Sequence, residues 1–229
     1  YNRNSRPPGG RGPRSASPAT MIVVVDYGMG NLRSVSKALE SLGASVRVSS
    51  EPMRVAAADK LILPGVGAFP AAMQELSARR LVEPITQFIK SGKPYLGICL
   101  GLQLLFESSE EGEGAAGLGV LNGAVKRFAP AASRKVPHMG WNQVARRQTA
   151  EGRRQDGCPL LAGIPDGSFV YFVHSYYAEP SDRGVTALET DYGVRFAAMV
   201  WRDTLFATQF HPEKSQAVGL RVLQNFIAL

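Results

Sequence analysis

Cys99 lies in Gly97-Ile-Cys99-Leu-Gly101, where an apolar strand pattern runs straight into a helix-like one. This spacing is the cysteine counterpart of the Gly-x-Ser-x-Gly elbow, in which flanking glycines leave room for a sharp turn that lifts a nucleophile above a sheet. A helix starting at Leu100 would aim partial positive charge and free N–H groups at the sulfur, and the Leu100 N–H is placed to bind an oxyanion. A thiol nucleophile needs a base. His211, in Thr208-Gln-Phe-His-Pro-Glu-Lys-Ser215, ends an apolar strand at a proline, and open α/β sheets build their sites at the carboxyl ends of strands. Glu213, two positions on, can fold back to hold the imidazole tautomer, completing a nucleophile, base and orienter for acyl transfer.

Each residue has a plainer reading. Cysteine is often a small buried hydrophobe, and a lone strand-end histidine is more often structural than catalytic. The pairing with an elbow reverses that balance. His174, in Phe172-Val-His-Ser-Tyr-Tyr177, and His138, in the loop-like Val136-Pro-His-Met-Gly-Trp-Asn142, are rival bases with no acid nearby. His174 reads as lining a pocket, and Cys158 as an incidental thiol. Pro64-Gly65-Val66-Gly67 closes the strand before the elbow strand, and its glycines can turn a backbone N–H inward as a second oxyanion donor.

The elements that must position these groups alternate. Strand patterns at 22–26, 45–48, 60–63 and 94–98 are separated by helical ones at 32–42 and 71–91, and a further helix reads over 100–109. Short apolar strands alternating with helices predict an α/β fold, a mostly parallel central sheet with helices on both faces. Close-set strands at 120–128, 169–177, 185–190, 195–202 and 205–210 predict an antiparallel extension of that sheet, and 215–228 a closing amphipathic helix. Residues 21–229 read as one domain. Residues 1–20, rich in Pro, Gly, Arg and Ser, read as a disordered leader or upstream sequence. They are Arg-rich and acid-free like a transit peptide, but their prolines oppose the amphipathic helix such a peptide needs.

Composition narrows the function classes. The formal charge is +7, of which Arg3, Arg6, Arg11 and Arg14 carry +4. The rest holds no basic stripe interleaved with aromatics, so nucleic acid is not an expected partner. No apolar run approaches the ~18 residues that cross a bilayer, so no membrane partner is expected. Two cysteines are too few for a disulfide scaffold and suit a reducing, cytoplasmic compartment. The three histidines are far apart, so no metal is expected.

Together the Gly-Ile-Cys-Leu-Gly-Leu-Gln and His-Pro-Glu segments resemble the class I (triad) glutamine amidotransferases, over essentially 21–229. The resemblance implies the flavodoxin-like fold of that class, with Cys99 as nucleophile, His211 as base and Glu213 as orienter. It implies an oxyanion hole from the N–H groups of Gly67 and Leu100. Gln103 and the backbone around His174, Ser175 and Tyr176 would grip glutamine, without any cofactor. Within the class, Asp26-Tyr-Gly-Met-Gly-Asn31, Leu63-Pro-Gly-Val-Gly-Ala-Phe69, Pro137-His-Met-Gly-Trp-Asn142 and His211-Pro-Glu-Lys-Ser215 are similar to glutaminase subunits of imidazole glycerol phosphate synthases. That implies a separate (β/α)8-barrel cyclase partner in histidine biosynthesis, with Lys214, Trp141 and Asn31 as candidates for the contact face. Glutaminases of the anthranilate or pyridoxal phosphate type, another Cys-His hydrolase on the same sheet, and a non-catalytic regulatory subunit are the alternatives.

Overall fold

The computed structural model describes residues 20–130, 135–148 and 157–229. The expectation for the leader, all but its last residue, lies outside the described residues.

In chain order the strands are β1 (Met21–Val25), β2 (Ser45–Ser49), β3 (Lys60–Gly65), β4 (Tyr95–Cys99), β5 (Phe106–Ser109), β6 (Ala115–Ala116), β7 (Leu121–Arg127), β8 (His138–Gln143), β9 (Ala145–Arg146), β10 (Phe169–His174), β11 (Tyr176–Pro180), β12 (Thr186–Asp191), β13 (Arg195–Arg202) and β14 (Leu205–Thr208). The helices are α1 (Leu32–Ser41), α2 (Pro52–Ala57), α3 (Phe69–Ala78), α4 (Val82–Lys90), the single turn α5 (Leu100–Gln103) and α6 (Gln216–Ala228).

The main sheet runs β2-β1-β3-β4-β14-β13-β12-β9. Every pairing from β2 to β14 is parallel, and those beyond β14 are antiparallel. Strands covered on both faces must be apolar at successive positions, not alternate ones. In β1, Val23 and Val25 pack into the layer holding Val55, Leu76 and Ile85 of α2, α3 and α4. Ile22 and Val24 pack into the opposite layer, with Val35 and Leu39 of α1 and Leu223 and Phe226 of α6. A pair, β8–β10, and a four-stranded sheet, β11-β7-β5-β6, complete the fold.

Four expectations are corrected. The helix read over 100–109 is one turn followed by β5, because β5 pairs with β7 and β6 and such distant pairing overrides local helical preference. The helix read over 71–91 breaks into α3 and α4 at Arg80, whose φ is 57°. The antiparallel region does not all extend the main sheet. The 169–177 strand divides at Ser175 into β10 and β11, which serve different small sheets, and the stretch read as a loop around His138 is strand β8.

Lys60 starts β3 at 5% exposure and donates from Nζ to the carbonyls of Phe226 and Ile227, closing the carboxyl end of α6. The Phe226 carbonyl accepts in addition only the long bond from the Leu229 N–H (3.4 Å) among the described residues, and a cation there also suits the helix dipole. Lys60→Met should therefore cost about 1.5–3 kcal/mol, the range for hydrogen bonds to charged groups. Chemical denaturation checks it; an unchanged midpoint would show that the cap contributes nothing.

Candidate active site

Strand β4 is buried throughout and lies between β3 and β14, placing Cys99 at the carboxyl edge of the middle of the sheet. Cys99 has φ 55° and ψ −106°, a region that side-chain-bearing residues occupy only under strain. The two flanking glycines make the turn possible by close approach. A Cβ on Gly97 would stand 2.6 Å from the Gly101 carbonyl oxygen, and one on Gly101 would collide with the Leu63 carbonyl. So the turn crosses β3 and β4 backbone to backbone. With only four residues, α5 cannot supply the full dipole expected of a longer helix. Positive charge at the sulfur has to come from a side chain.

His211 supplies it. The residue is 1% exposed, its N–H donates to the Tyr171 carbonyl (3.0 Å), and its own carbonyl accepts from the Ser215 hydroxyl (2.7 Å). Nδ1 bonds Glu213 Oε1 at 2.8 Å, and the carboxylate side chain is fully buried. Glu213 holds Nδ1, so Nε2, buried and without a hydrogen-bond partner among the described residues, is the nitrogen left for Cys99. Burial alone would lower the imidazole pKa. Interaction with the Cys99 sulfur and with Glu213 outweighs burial and raises it to about 10. His211 is therefore a cation at neutral pH.

Cys99 opens onto a cavity of about 350 Å³ also lined by Val66, Gly67, Leu100, Gln103, Glu111, His174, Ser175 and Tyr176. Gly67 has φ +102°, a conformation open to the turn after β3 because glycine has no side chain to oppose it. Gln103 Nε2 donates to the Tyr176 carbonyl (2.9 Å) and to Gln209 Oε1 (3.1 Å).

The rival histidines are committed elsewhere. The Tyr176 carbonyl can only accept, so His174 Nδ1 carries a proton and donates to it (2.8 Å). His174 Nε2 then accepts from His138 Nδ1 (3.0 Å), and His138 Nε2 accepts from Asn142 Nδ2 (3.2 Å). Both rings are thus neutral. Burial pulls His138 down to about 4, and burial with the neighbouring imidazoles pulls His174 down to about 3.

The interface candidates are placed as follows. Trp141 is 46% exposed on β8 and meets the Tyr171 ring edge-on at 6.1 Å. Lys214 Nζ lies 5.8 Å from the centre of the same ring. Asn31 precedes α1, which packs beside the Pro212–Lys214 turn.

The family described as glutamine amidotransferase class-I matches residues 23–229. The chain belongs to that family. It is 54% identical over 211 residues to the imidazole glycerol phosphate synthase subunit HisH of Syntrophotalea carbinolica, covering 90% of this chain and 98% of that protein. It is also 54% identical to the subunit of the same name from Rhodopirellula baltica, over 90% of this chain and 96% of that one. Among solved structures, PurLQS from Thermotoga maritima superposes with a TM-score of 0.69 at 19% identity, covering 92% and 98% of the two chains. A structure described as a glutamine amidotransferase gives 0.68 at 18%, covering 90% and 99%. These two show the fold alone.

Two residues of the amidotransferase site escaped the sequence reading. Gln209 is fully buried and donates from Nε2 toward the Cys99 sulfur at 3.7 Å. Its place two residues before His211 was the available signal, since such positions share a face of an extended strand. Glu111 places a carboxylate in the cavity wall while accepting from the Phe69 N–H (2.8 Å). It lies in an acidic turn after β5, and nothing in the local sequence marks it out.

Proposed function

We propose that this amidotransferase is the glutaminase subunit of an imidazole glycerol phosphate synthase, acting in the cytoplasm in histidine biosynthesis. The reading rests above all on the strained Cys99 beside a cationic His211 held by a buried Glu213.

The Cys99 thiolate attacks the side-chain amide carbon of glutamine. The tetrahedral oxyanion is held by the N–H groups of Gly67 and Leu100, which line the cavity beside the sulfur. His211 gives its Nε2 proton to the departing ammonia, leaving a thioester. The now neutral imidazole takes a proton from water as it attacks the thioester, releasing glutamate and restoring the ion pair. Glu111 is the acidic group in the cavity that suits the substrate α-ammonium. The backbone of Ser175 and Tyr176, braced by Gln103 and His174, suits the α-carboxylate.

Ammonia released here is useful only if captured, so the partner is a separate (β/α)8-barrel cyclase. It converts a phosphoribulosyl-formimino ribonucleotide into imidazole glycerol phosphate and an aminoimidazole carboxamide ribonucleotide. Its docking face is the outer side of β8–β10, where Met139, Trp141 and Phe169 are 66%, 46% and 53% exposed. Exposed apolar groups clustered beside a cavity mark such surfaces. Lys214 lies beside it, its Nζ over the Tyr171 ring. A large aromatic at the centre of an interface commonly carries 2 kcal/mol or more, so Trp141→Ala should weaken cyclase binding by about 30-fold or more. Titration calorimetry checks it, and unchanged affinity would move the interface elsewhere.

The decisive experiment gives the full chain and a cyclase subunit ¹⁵N-amide glutamine together with the phosphoribulosyl-formimino ribonucleotide. Label in the imidazole product, with a glutamine-like electrophile adding to Cys99 and not Cys158, supports the assignment. Label that stays in glutamine refutes it.

A further inference from the structure

Tyr27, in the turn after β1, is fully buried, and its hydroxyl has no hydrogen-bond partner among the described residues. A buried hydroxyl left unpaired costs stability, and a phenylalanine would fill the same space without that cost. Its position is specific. A Cβ built on Gly65 would collide with the Tyr27 hydroxyl and would stand 2.8 Å from Leu100 Cβ and 3.3 Å from the Gly101 nitrogen. The hydroxyl therefore sits where the end of β3 meets the elbow turn, and Gly65 pairs in register with Cys99. These are the two backbone segments that flank the proposed oxyanion.

A trans peptide is planar, with its N–H and C=O on opposite edges. The Gly65 carbonyl shares its peptide with the Val66 N–H, so when that N–H turns into the cavity the carbonyl turns to the opposite side. The Tyr27 hydroxyl stands against Gly65 on the side that a Cβ would take. Glycines at 65 and 67 leave the backbone free to make that rotation. Burial, and then the charge of Cys99, raises the phenol pKa, so the group stays a donor throughout.

We propose that Tyr27 is a positioning residue for the glutaminase reaction, its hydroxyl donating to the Gly65 carbonyl when the Val66 N–H turns toward the oxyanion beside those of Gly67 and Leu100. The hydroxyl is unpaired at rest and paired in the transition state, so it stabilises the second state selectively and raises kcat. The inference rests on the acyl-transfer reading of Cys99.

The test compares wild type with Tyr27→Phe as full chains in the presence of the cyclase subunit. It measures kcat and KM for glutamine, affinity for the γ-aldehyde analogue of glutamate, affinity for glutamate, and the thermal midpoint. The aldehyde adds reversibly to Cys99 and places an oxygen in the oxyanion site. The expected result is a kcat about tenfold lower, somewhat less than the loss of a direct oxyanion donor. Aldehyde affinity should fall by the same factor. KM and glutamate affinity should stay unchanged, and the thermal midpoint should be equal or higher. Wild-type kcat and aldehyde affinity in Tyr27→Phe would overturn the proposal. So would equal losses of aldehyde and glutamate affinity with a lower midpoint, the mark of damaged packing. If wild type itself hydrolyses no glutamine, the acyl-transfer reading fails and the role of Tyr27 fails with it.

Discussion

Cys99→Ala should lower kcat for glutamine hydrolysis by about 10⁴-fold or more, because removing the nucleophile of a group that acts as a unit costs nearly what removing the whole group costs. Glutamine binding should change little, since the cavity wall from Gln103 to Tyr176 remains intact. A second substitution separates chemistry from architecture. Cys99 keeps φ 55° and ψ −106°, a strain of about 1–3 kcal/mol for a residue with a Cβ. Alanine retains that strain and glycine removes it, less about 0.5–1 kcal/mol for the entropy that glycine loses on folding. Cys99→Gly should thus be as inactive as Cys99→Ala yet melt about 1–8 °C higher, from a net gain of about 0.5–2 kcal/mol at about 2–4 °C per kcal/mol in a chain of this size. Equal melting points would mean that the elbow is not strained. Residual turnover within tenfold of wild type in either variant would remove Cys99 from the chemistry.

How far the sequence carries depends on whether a feature is local. Strands β1, β3 and β4 are legible because burial on both faces demands unbroken apolar runs, and Ile22–Val25 and Leu61–Leu63 are such runs. The elbow is legible because a close backbone crossing demands glycine at both 97 and 101. Residues 104–109 are not legible. Leu104, Leu105 and Phe106 are apolar in a row and suit a helix or a strand, and only the distant partner β7 decides between them. The same holds for His138. Its segment looks like a loop until β10 pairs with it, with His138 opposite His174. Gln209 and Glu111 depend on three-dimensional neighbours in the same way. What a residue touches across the fold is invisible to its spacing along the chain.

Glu213→Gln tests the other half of the proposed machinery, and it should lower kcat by about 10²–10⁴-fold with little change in KM. The comparable substitution in a triad costs the upper figure through a misplaced proton. Gln can still offer an oxygen to Nδ1–H, which sets the lower one. The substitution also predicts a stability signature. His211 is raised from 6.5 to about 10 in the folded chain, so the folded imidazole holds a proton that the unfolded imidazole has released between those values. The stabilisation is complete below about pH 6.5 and is lost as pH rises through about 10. Without the Glu213 charge, one of the two groups that raise the pKa is gone. Denaturation from pH 6 to 10 should then show a shallower alkaline fall than wild type. Replacing that charge-assisted hydrogen bond by a neutral one should also cost about 1 kcal/mol at neutral pH, the difference between the two kinds. A variant with normal kcat and a wild-type pH profile would mean that Cys99 alone holds the imidazole charged. Glu213 would then be a buried carboxylate with one oxygen unpartnered and no catalytic return for its burial.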